Sequence, residues 1–198
     1  MRVAACYVVL SLAGAIPAMA APAPEPGDGD WTLATLMAGL QQVKSASARF
    51  IEHKYVHMLT RPLESSGTLT YAAPNRLEKV TLAPTRESIL LQDDELSGTR
   101  SNGHRYSVSL SDQPDIAALV EGGRSTLAGD LPTLERYYEV ASNGTRAGWQ
   151  LMLLPKDKDV RAKVDLIRIM GAGTALQEID VLEADGDHSE MSVVPAAP

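Results

Sequence analysis

The chain has 198 residues and a formal net charge of −7, with 18 Lys and Arg residues against 25 Asp and Glu residues. That length suits one domain, and the acidic balance predicts no nucleic-acid partner, because binding phosphates requires a basic surface. The sequence contains one cysteine, Cys6, which excludes a disulfide framework and a cysteine-rich zinc module.

The first twenty residues have the pattern of an export signal. Arg2 supplies a positive start, residues 3–16 form an uncharged and mostly apolar run, and Ala18–Ala20 has the small-x-small pattern that signal peptidase cleaves. The run is shorter than the ~20 apolar residues of a membrane span. We therefore predict cleavage after Ala20 and a periplasmic location. Residues 21–30 are predicted to be a Pro- and Gly-rich flexible linker before a single domain over residues 31–198.

The rest of the chain alternates β-branched and aromatic runs with turn residues, which is typical of an antiparallel meander. A first helix is predicted with Asp30 as its N-cap, because apolar residues recur at helical spacing from Leu33 to Val43. Two central helices are predicted between the strands. Gly122-Gly123 is expected to stop the first, and the second carries an apolar stripe from Leu127 to Tyr138. The sequence thus predicts a mainly β fold of about ten or eleven strands with a few helices.

Motifs that indicate catalysis or metal binding are missing from the sequence. His53 and His57 are predicted on one strand, where a spacing of four residues separates them by about 13 Å, too far to share a metal ion. Asp185-Gly186-Asp187 lacks the ligand spacing of a calcium loop. No carboxylate spacing selects a pair for acid–base chemistry. We therefore predict a non-enzymatic protein without a metal ion or cofactor.

Four segments resemble, in order and spacing, segments of the LolA family of periplasmic lipoprotein carriers. Residues 43–50 are similar to the family's helix-to-first-strand segment. Gly67–Tyr71, followed by Pro74–Leu77, is similar to its hairpin, and Glu87–Asp94 to its next strand and turn. The resemblance extends over roughly residues 31–193. It implies a strongly curved, incomplete antiparallel β-barrel with helices that cover its open mouth.

Two differences from the family change what the resemblance implies. Members that shuttle lipoproteins have an arginine before the hairpin proline, which helps to hold the lid helices closed. Ala73 occupies that position here, and Arg76 is the candidate to replace it. Those members also continue past the last long strand, so this sequence is expected to represent a short subgroup. Its predicted cargo is an acylated lipoprotein or another lipid, such as an acyl or aryl-polyene lipid.

The resemblance and the strand pattern together predict an apolar cavity. Residues 89–91 and 151–154 are apolar on both faces of their strands, as expected for a curved sheet with one face toward a cavity or a helix. The side chains predicted to line the lipid-binding cavity are Leu69, Tyr71, Leu77, Ile89, Leu91, Trp149, Leu151, Ile167 and Ile169. Those predicted to form the lid are Leu119, Val120, Leu131, Leu134 and Tyr138.

The predicted function is that of a periplasmic carrier that binds acyl chains and moves its cargo from the inner to the outer membrane. An inner-membrane exporter is the predicted donor, an outer-membrane component the acceptor, and the carrier itself a monomer. Two other interpretations fit the sequence: a lipid- or peptide-binding envelope sensor or assembly factor, and a hydrolase that acts on envelope lipids.

Overall fold

A computed structural model describes residues 31–196, so the predicted signal peptide and linker lie outside the described residues. Eleven strands are present in this part of the chain. They are β1 (Ser45–Tyr55), β2 (Leu63–Ala72), β3 (Arg76–Ala83), β4 (Glu87–Gln92), β5 (Glu95–Thr99), β6 (Arg105–Ser109), β7 (Tyr138–Thr145), β8 (Gly148–Pro155), β9 (Val164–Ala172), β10 (Ala175–Glu183) and β11 (His188–Pro195).

All eleven strands belong to one antiparallel sheet built from two meanders. Strands β1 to β6 form one meander and β7 to β11 the other, and the pairing of β1 with β11 joins them, with Phe50 opposite Val193. Strands β6 and β7 are the two edges, so the sheet does not close. The predicted fold class, a curved incomplete β-barrel with helices, is confirmed.

Four helices accompany the sheet in the described residues. They are α1 (Leu33–Leu40), α2 (Pro114–Ala128), α3 (Leu131–Tyr137) and the short α4 (Lys158–Arg161). Helices α2 and α3 connect the two meanders, and α1 precedes β1. None of the helices within residues 31–196 is long and apolar enough to cross a membrane.

The main hydrophobic core lies between the helices and one half of the sheet. Helix α1 contributes apolar residues at helical spacing, and Leu134 enters from α3. Their buried partners on β8 and β9 include Leu151, Leu153 and Ile169. We call the sheet face that carries these residues the inner face. Two smaller clusters continue the core across it, one around Phe50 of β1 and one around Leu91 of β4.

Two predicted helix boundaries differ from the structure. The N-cap of α1 is Thr32, whose hydroxyl accepts a hydrogen bond from the Thr35 amide at 3.2 Å; Asp30 lies outside the described residues. Helix α2 continues through Gly122-Gly123, because the Tyr138 ring packs directly against Gly122 and tertiary packing outweighs the low helix propensity of glycine. The helix ends at Gly129, whose φ of +65° forms a left-handed C-cap.

Candidate functional site

An apolar cavity of about 440 Å³ lies between the inner face of the sheet and the helices α1 and α2. This volume is within the usual range of small-molecule sites, roughly 300–1,000 Å³. The sheet contributes residues from β1–β3 and β9–β11, and the helices contribute the end of α1 and one side of α2. The aliphatic lining residues are Leu40, Val43, Ala46, Ala48, Leu69, Leu77, Leu119, Leu127, Ile167, Ile169, Ala175, Leu176, Ile179, Val181, Met191 and Val193.

Five of the nine residues predicted for the cavity line it: Leu69, Tyr71, Leu77, Ile167 and Ile169. Strand geometry brings them together. Leu69 and Tyr71 are two residues apart and therefore share a face, and Tyr71 stands directly opposite Leu77 in the β2–β3 pair. Ile167 and Ile169 occupy the same face of β9, on the other side of the β1–β11 junction.

The other four predicted cavity residues lie elsewhere on the inner face. Trp149 and Leu151 are buried in the main core, against the helices and β9. Leu91 is buried beneath Ala117 of α2. Ile89 pairs with Lys79 on the same face, but α2 does not cover its end of β4, so 40% of Ile89 is exposed.

The predicted lid residues divide between the cavity and the core. Leu119 of α2 lines the cavity. Val120 packs beside it on the Leu91 cluster, and Leu131 is half-buried against the main core. Leu134 and Tyr138 are completely buried there, and Tyr138 is the first residue of β7 rather than part of a helical stripe.

Helix α2, rather than α3, covers the cavity. Leu119, Gly123 and Leu127 all line it, and their spacing of four residues places them on one helix face. The four-residue spacing is present in the sequence, but the predicted end of the helix at Gly122-Gly123 places Leu119 and Leu127 on different helices. The lining residues of β10 and β11, such as Ile179, Val181, Met191 and Val193, are also missing from the predicted set, although their alternate spacing is visible in the sequence.

Within residues 31–196, polar contacts attach α2 to the sheet at two points. The Tyr138 hydroxyl donates to the carbonyl oxygen of Ala118 at 2.7 Å, and Arg124 donates through Nη1 to the carbonyl oxygen of Asp93, in the β4–β5 turn, at 2.6 Å. Arg124 also pairs with the buried carboxylate of Glu121. Arg124 therefore ties a helix to the sheet, and sequence analysis missed this residue.

Arg76, the sequence candidate for that role, lies on the opposite side of the sheet. Its guanidinium donates to Gln92 at 3.0 Å and to Glu78 at 2.9 Å, both neighbours on the outer face. Arg76 makes no hydrogen bond to a helix in the described residues.

Two buried tyrosines face the helices from opposite halves of the sheet. The Tyr138 hydroxyl has its acceptor on α2, whereas the Tyr71 hydroxyl is buried without a hydrogen-bond partner among residues 31–196. Burial raises the pKa of the Tyr71 phenol. Burial, followed by the charge of Glu121, raises the pKa of Tyr138 well above its usual value of 10.

We expect opposite results when these two hydroxyls are removed. Tyr138→Phe should lower the free energy of unfolding by about 1 kcal/mol, because it removes the hydrogen bond from the Tyr138 hydroxyl to the Ala118 carbonyl oxygen. Tyr71→Phe should leave the free energy of unfolding unchanged or raise it, because the Tyr71 hydroxyl makes no hydrogen bond within residues 31–196 that the substitution could remove. Urea unfolding of the two variants beside the wild type measures both effects. Equal losses of stability in the two variants would contradict the assignment.

Alkaline pH should reduce the stability difference caused by loss of the Tyr138 hydroxyl. Deprotonation of a buried phenol is disfavoured in the folded chain, so its stabilising effect is complete below pH 10 and is lost as pH rises above that value. The wild type and Tyr71→Phe keep the Tyr138 phenol, whereas Tyr138→Phe does not. The stability difference between wild type and Tyr138→Phe should therefore shrink above pH 10, which the same unfolding experiment measures.

Among the described residues, one cluster of acidic side chains, at the β10–β11 turn, has carboxylate oxygens close enough together to hold a metal ion. Glu183, Asp185 and Asp187 place one carboxylate oxygen each within 4.8 Å of one another. Protein side chains already contact it: Lys54 Nζ is 2.7 Å from Glu183 Oε1, and His57 Nδ1 is 2.7 Å from Asp187 Oδ1. Hydrogen bonds from His57 lower the pKa of Asp187. Two of the three carboxylates of the cluster are thus already paired with side chains of the protein.

Comparisons with known proteins support one family. The family model for the outer membrane lipoprotein carrier protein LolA-like family matches residues 20–197. No curated protein matches the sequence. A LolA superfamily protein from Nitrosomonas europaea is 11% identical, with a TM-score of 0.43, and the match covers 84% of this chain and 95% of that chain.

A second solved structure, the Pseudomonas aeruginosa MucA/MucB complex, has a chain that is 12% identical, with a TM-score of 0.45. The match covers 84% of this chain and 57% of that chain, so the present chain spans little more than half of that chain's length. At these identities and TM-scores, neither likeness bears on the function of this chain.

Proposed function

Because the chain belongs to the LolA-like family of outer membrane lipoprotein carrier proteins, we propose that it is a periplasmic carrier for acylated cargo. It binds the acyl chains of a lipoprotein or another envelope lipid and moves them from the inner to the outer membrane. An inner-membrane exporter donates the cargo and an outer-membrane component accepts it, while the carrier acts as a monomer without a catalytic step. The export signal predicted over residues 1–20 supports the periplasmic location.

The observation that carries the proposal is the aliphatic cavity beneath α2. Burial of each methylene contributes about 0.8 kcal/mol, so a chain of a dozen methylenes contributes on the order of 10 kcal/mol before the costs of association. A volume of about 440 Å³ lined by leucine, isoleucine, valine and alanine side chains suits such a chain. Met191 adds a flexible side chain that adapts to acyl chains of different shape.

Helix α2 is the part of the fold that we propose to move when cargo enters. It covers the cavity with Leu119 and Leu127, and few polar contacts hold it against the sheet. An apolar ligand replaces the contacts that these two leucines make with the sheet. Helix α3, by contrast, is anchored by the fully buried Leu134 and stays in place.

Adjacent residues on β2 provide a matched test of the cavity. Leu69 lines it, whereas Thr68 points to the outer face, opposite Arg49 in the β1–β2 pair. Leu69→Asp should weaken binding of a fluorescent monoacylglycerol at least about tenfold, because the carboxylate stays hydrated only if the acyl chain is absent. Thr68→Asp should bind as the wild type does. Equal affinities of the two variants, measured by titration of folded protein, would contradict the proposed site.

A further inference from the structure

One charged side chain is present among the described residues that line the apolar cavity. Lys79 of β3 enters its wall beside Leu69, to which it is directly paired across β2 and β3. Its ammonium group lies 4.8 Å from the centroid of the buried Phe50 ring, at cation–π distance. A charge at the boundary of an aliphatic volume is costly unless it has a partner.

Glu52 of β1 is that partner. Lys79 Nζ donates to Glu52 Oε2 at 2.7 Å, and the Ser65 hydroxyl donates to the same oxygen at 3.1 Å. The two charged side chains are 28% and 22% exposed, so water reaches the pair but does not surround it. Both hydrogen bonds that Glu52 accepts within the described chain end on Oε2, which leaves Oε1 as an available acceptor.

Lys79 also lines a second, polar recess of about 280 Å³ next to the cavity. The recess contains the ion pair, the exposed carboxylate of Glu87 and the hydroxyl-bearing residues Ser65, Thr81 and Thr85. Lys79 is therefore shared by an aliphatic volume on one side and a volume rich in hydrogen-bond donors and acceptors on the other. This is the arrangement that an amphiphile requires, with its chain in one volume and its headgroup in the other.

We propose that the Glu52–Lys79 ion pair is the headgroup site of the cavity, and that it selects cargo with a neutral, hydrogen-bonding headgroup over cargo with an anionic one. The inference rests on the proposed carrier function and specifies its substrate class: acyl chains attached to a glycerol ester or an amide. Such a headgroup accepts from Lys79 and donates to Glu52 Oε1 while the ion pair stays intact.

An anionic headgroup meets a less favourable site. An anionic headgroup that accepts from Lys79 lies beside the Glu52 carboxylate, and repulsion between the two negative charges offsets the attraction of Lys79. Glu87 adds a further negative charge to the recess. The acidic partner thus prevents Lys79 from acting as a simple anion receptor, and its removal should abolish the selectivity.

The test compares two lipids with the same acyl chain, monopalmitoylglycerol and palmitate, as competitors of a fluorescent monoacylglycerol at pH 8. The wild type should bind monopalmitoylglycerol on the order of tenfold more tightly than palmitate. Glu52→Gln should strengthen palmitate binding by about tenfold, because it frees the Lys79 charge. Glu64→Gln is the matched control: it removes the same charge from the outer face, where Glu64 contacts His53 at 3.4 Å, and should keep the wild-type ratio.

Lys79→Gln is a second variant, to be measured if Glu52→Gln does not fold. It should bind monopalmitoylglycerol more weakly than the wild type does and should still bind palmitate more weakly than monopalmitoylglycerol. Equal affinity of the wild type for the two lipids, or a Glu52→Gln variant with the wild-type ratio, would overturn the headgroup site while leaving the carrier function intact. Failure of the folded wild type to bind either lipid would instead overturn the carrier function, and the headgroup site with it.

Discussion

Leu134→Glu should prevent the protein from accumulating in folded form, whereas Leu127→Glu should leave it folded and defective in acyl binding. Leu134 is fully buried in the main core, between α1 and the strands β8 and β9. A carboxylate there has no partner, and its burial costs several kcal/mol, a large part of a stability of about 5–15 kcal/mol. Leu127 lies on α2, half-buried at the cavity, where a carboxylate keeps access to water by displacing the helix.

Thermal melting and a lipid-binding titration distinguish the two variants. We expect a collapsed or absent melting transition for Leu134→Glu. For Leu127→Glu we expect a melting temperature within a few degrees of the wild type, with binding weakened at least about tenfold. A folded Leu134→Glu with altered lipid binding would show that α3 belongs to the movable lid, as the sequence predicts, and would contradict the assignment of the lid to α2.

Gly67→Ala should destabilise the protein by about 3 kcal/mol or more, because the added methyl group has no space. Gly67 lies at a register shift between β2 and β3, and a Cβ atom there would overlap the carbonyl oxygen of Val80 and approach the Phe50 ring to 2.9 Å. Relief of the overlap requires the backbone of β2 and β3 to separate. This separation of the strands would also move Lys79, which packs on Phe50, away from the cavity.

Gly148→Ala is the control for this substitution. Gly148 begins β8, and a Cβ atom at this position would meet nothing within 4 Å. Its variant should unfold at a urea concentration close to that of the wild type. If Gly67→Ala unfolds at the same concentration as Gly148→Ala, the close packing of Phe50, Gly67 and β3 does not contribute to stability.

The strands are predictable from the sequence because their signals are local. Alternating apolar residues and turn residues mark each strand. The residue pattern predicts strands over Gly67–Tyr71, Trp149–Leu154 and Leu176–Glu183, for example, and these segments fall within β2, β8 and β10. The alternation also identifies which residues share a face, which is why Leu69 and Tyr71 line the cavity together.

The sequence does not show which part of the inner face remains empty. Ile169 and Leu151 are directly opposite each other in the β8–β9 pair, yet Ile169 reaches the cavity and Leu151 is packed in the core. The difference depends on where α1 and α3 press against the sheet, and that placement is set by tertiary contacts rather than by local pattern. The low helix propensity of glycine likewise predicts the end of α2 too early. The helix continues past Gly122 because Tyr138, which begins β7, packs against this glycine.

Side-chain contacts between residues far apart in the sequence also cannot be predicted from local sequence patterns. Arg124 and its acceptor, the Asp93 carbonyl oxygen, are 31 residues apart in the chain. The Glu52–Lys79 pair joins β1 to β3 across the intervening β2, and its significance comes from the cavity beside it. Such pairs require the topology of the sheet, which the residue pattern alone does not specify.

Native mass spectrometry of the protein purified from the periplasm tests most directly the claim that the cavity holds an acyl chain. The wild type should show, beside the mass of the polypeptide, a second species heavier by the mass of one acyl lipid. That species should be absent from Leu69→Asp and present in Thr68→Asp. A wild-type spectrum that contains the polypeptide mass alone, under conditions that preserve apolar complexes, would contradict the carrier function.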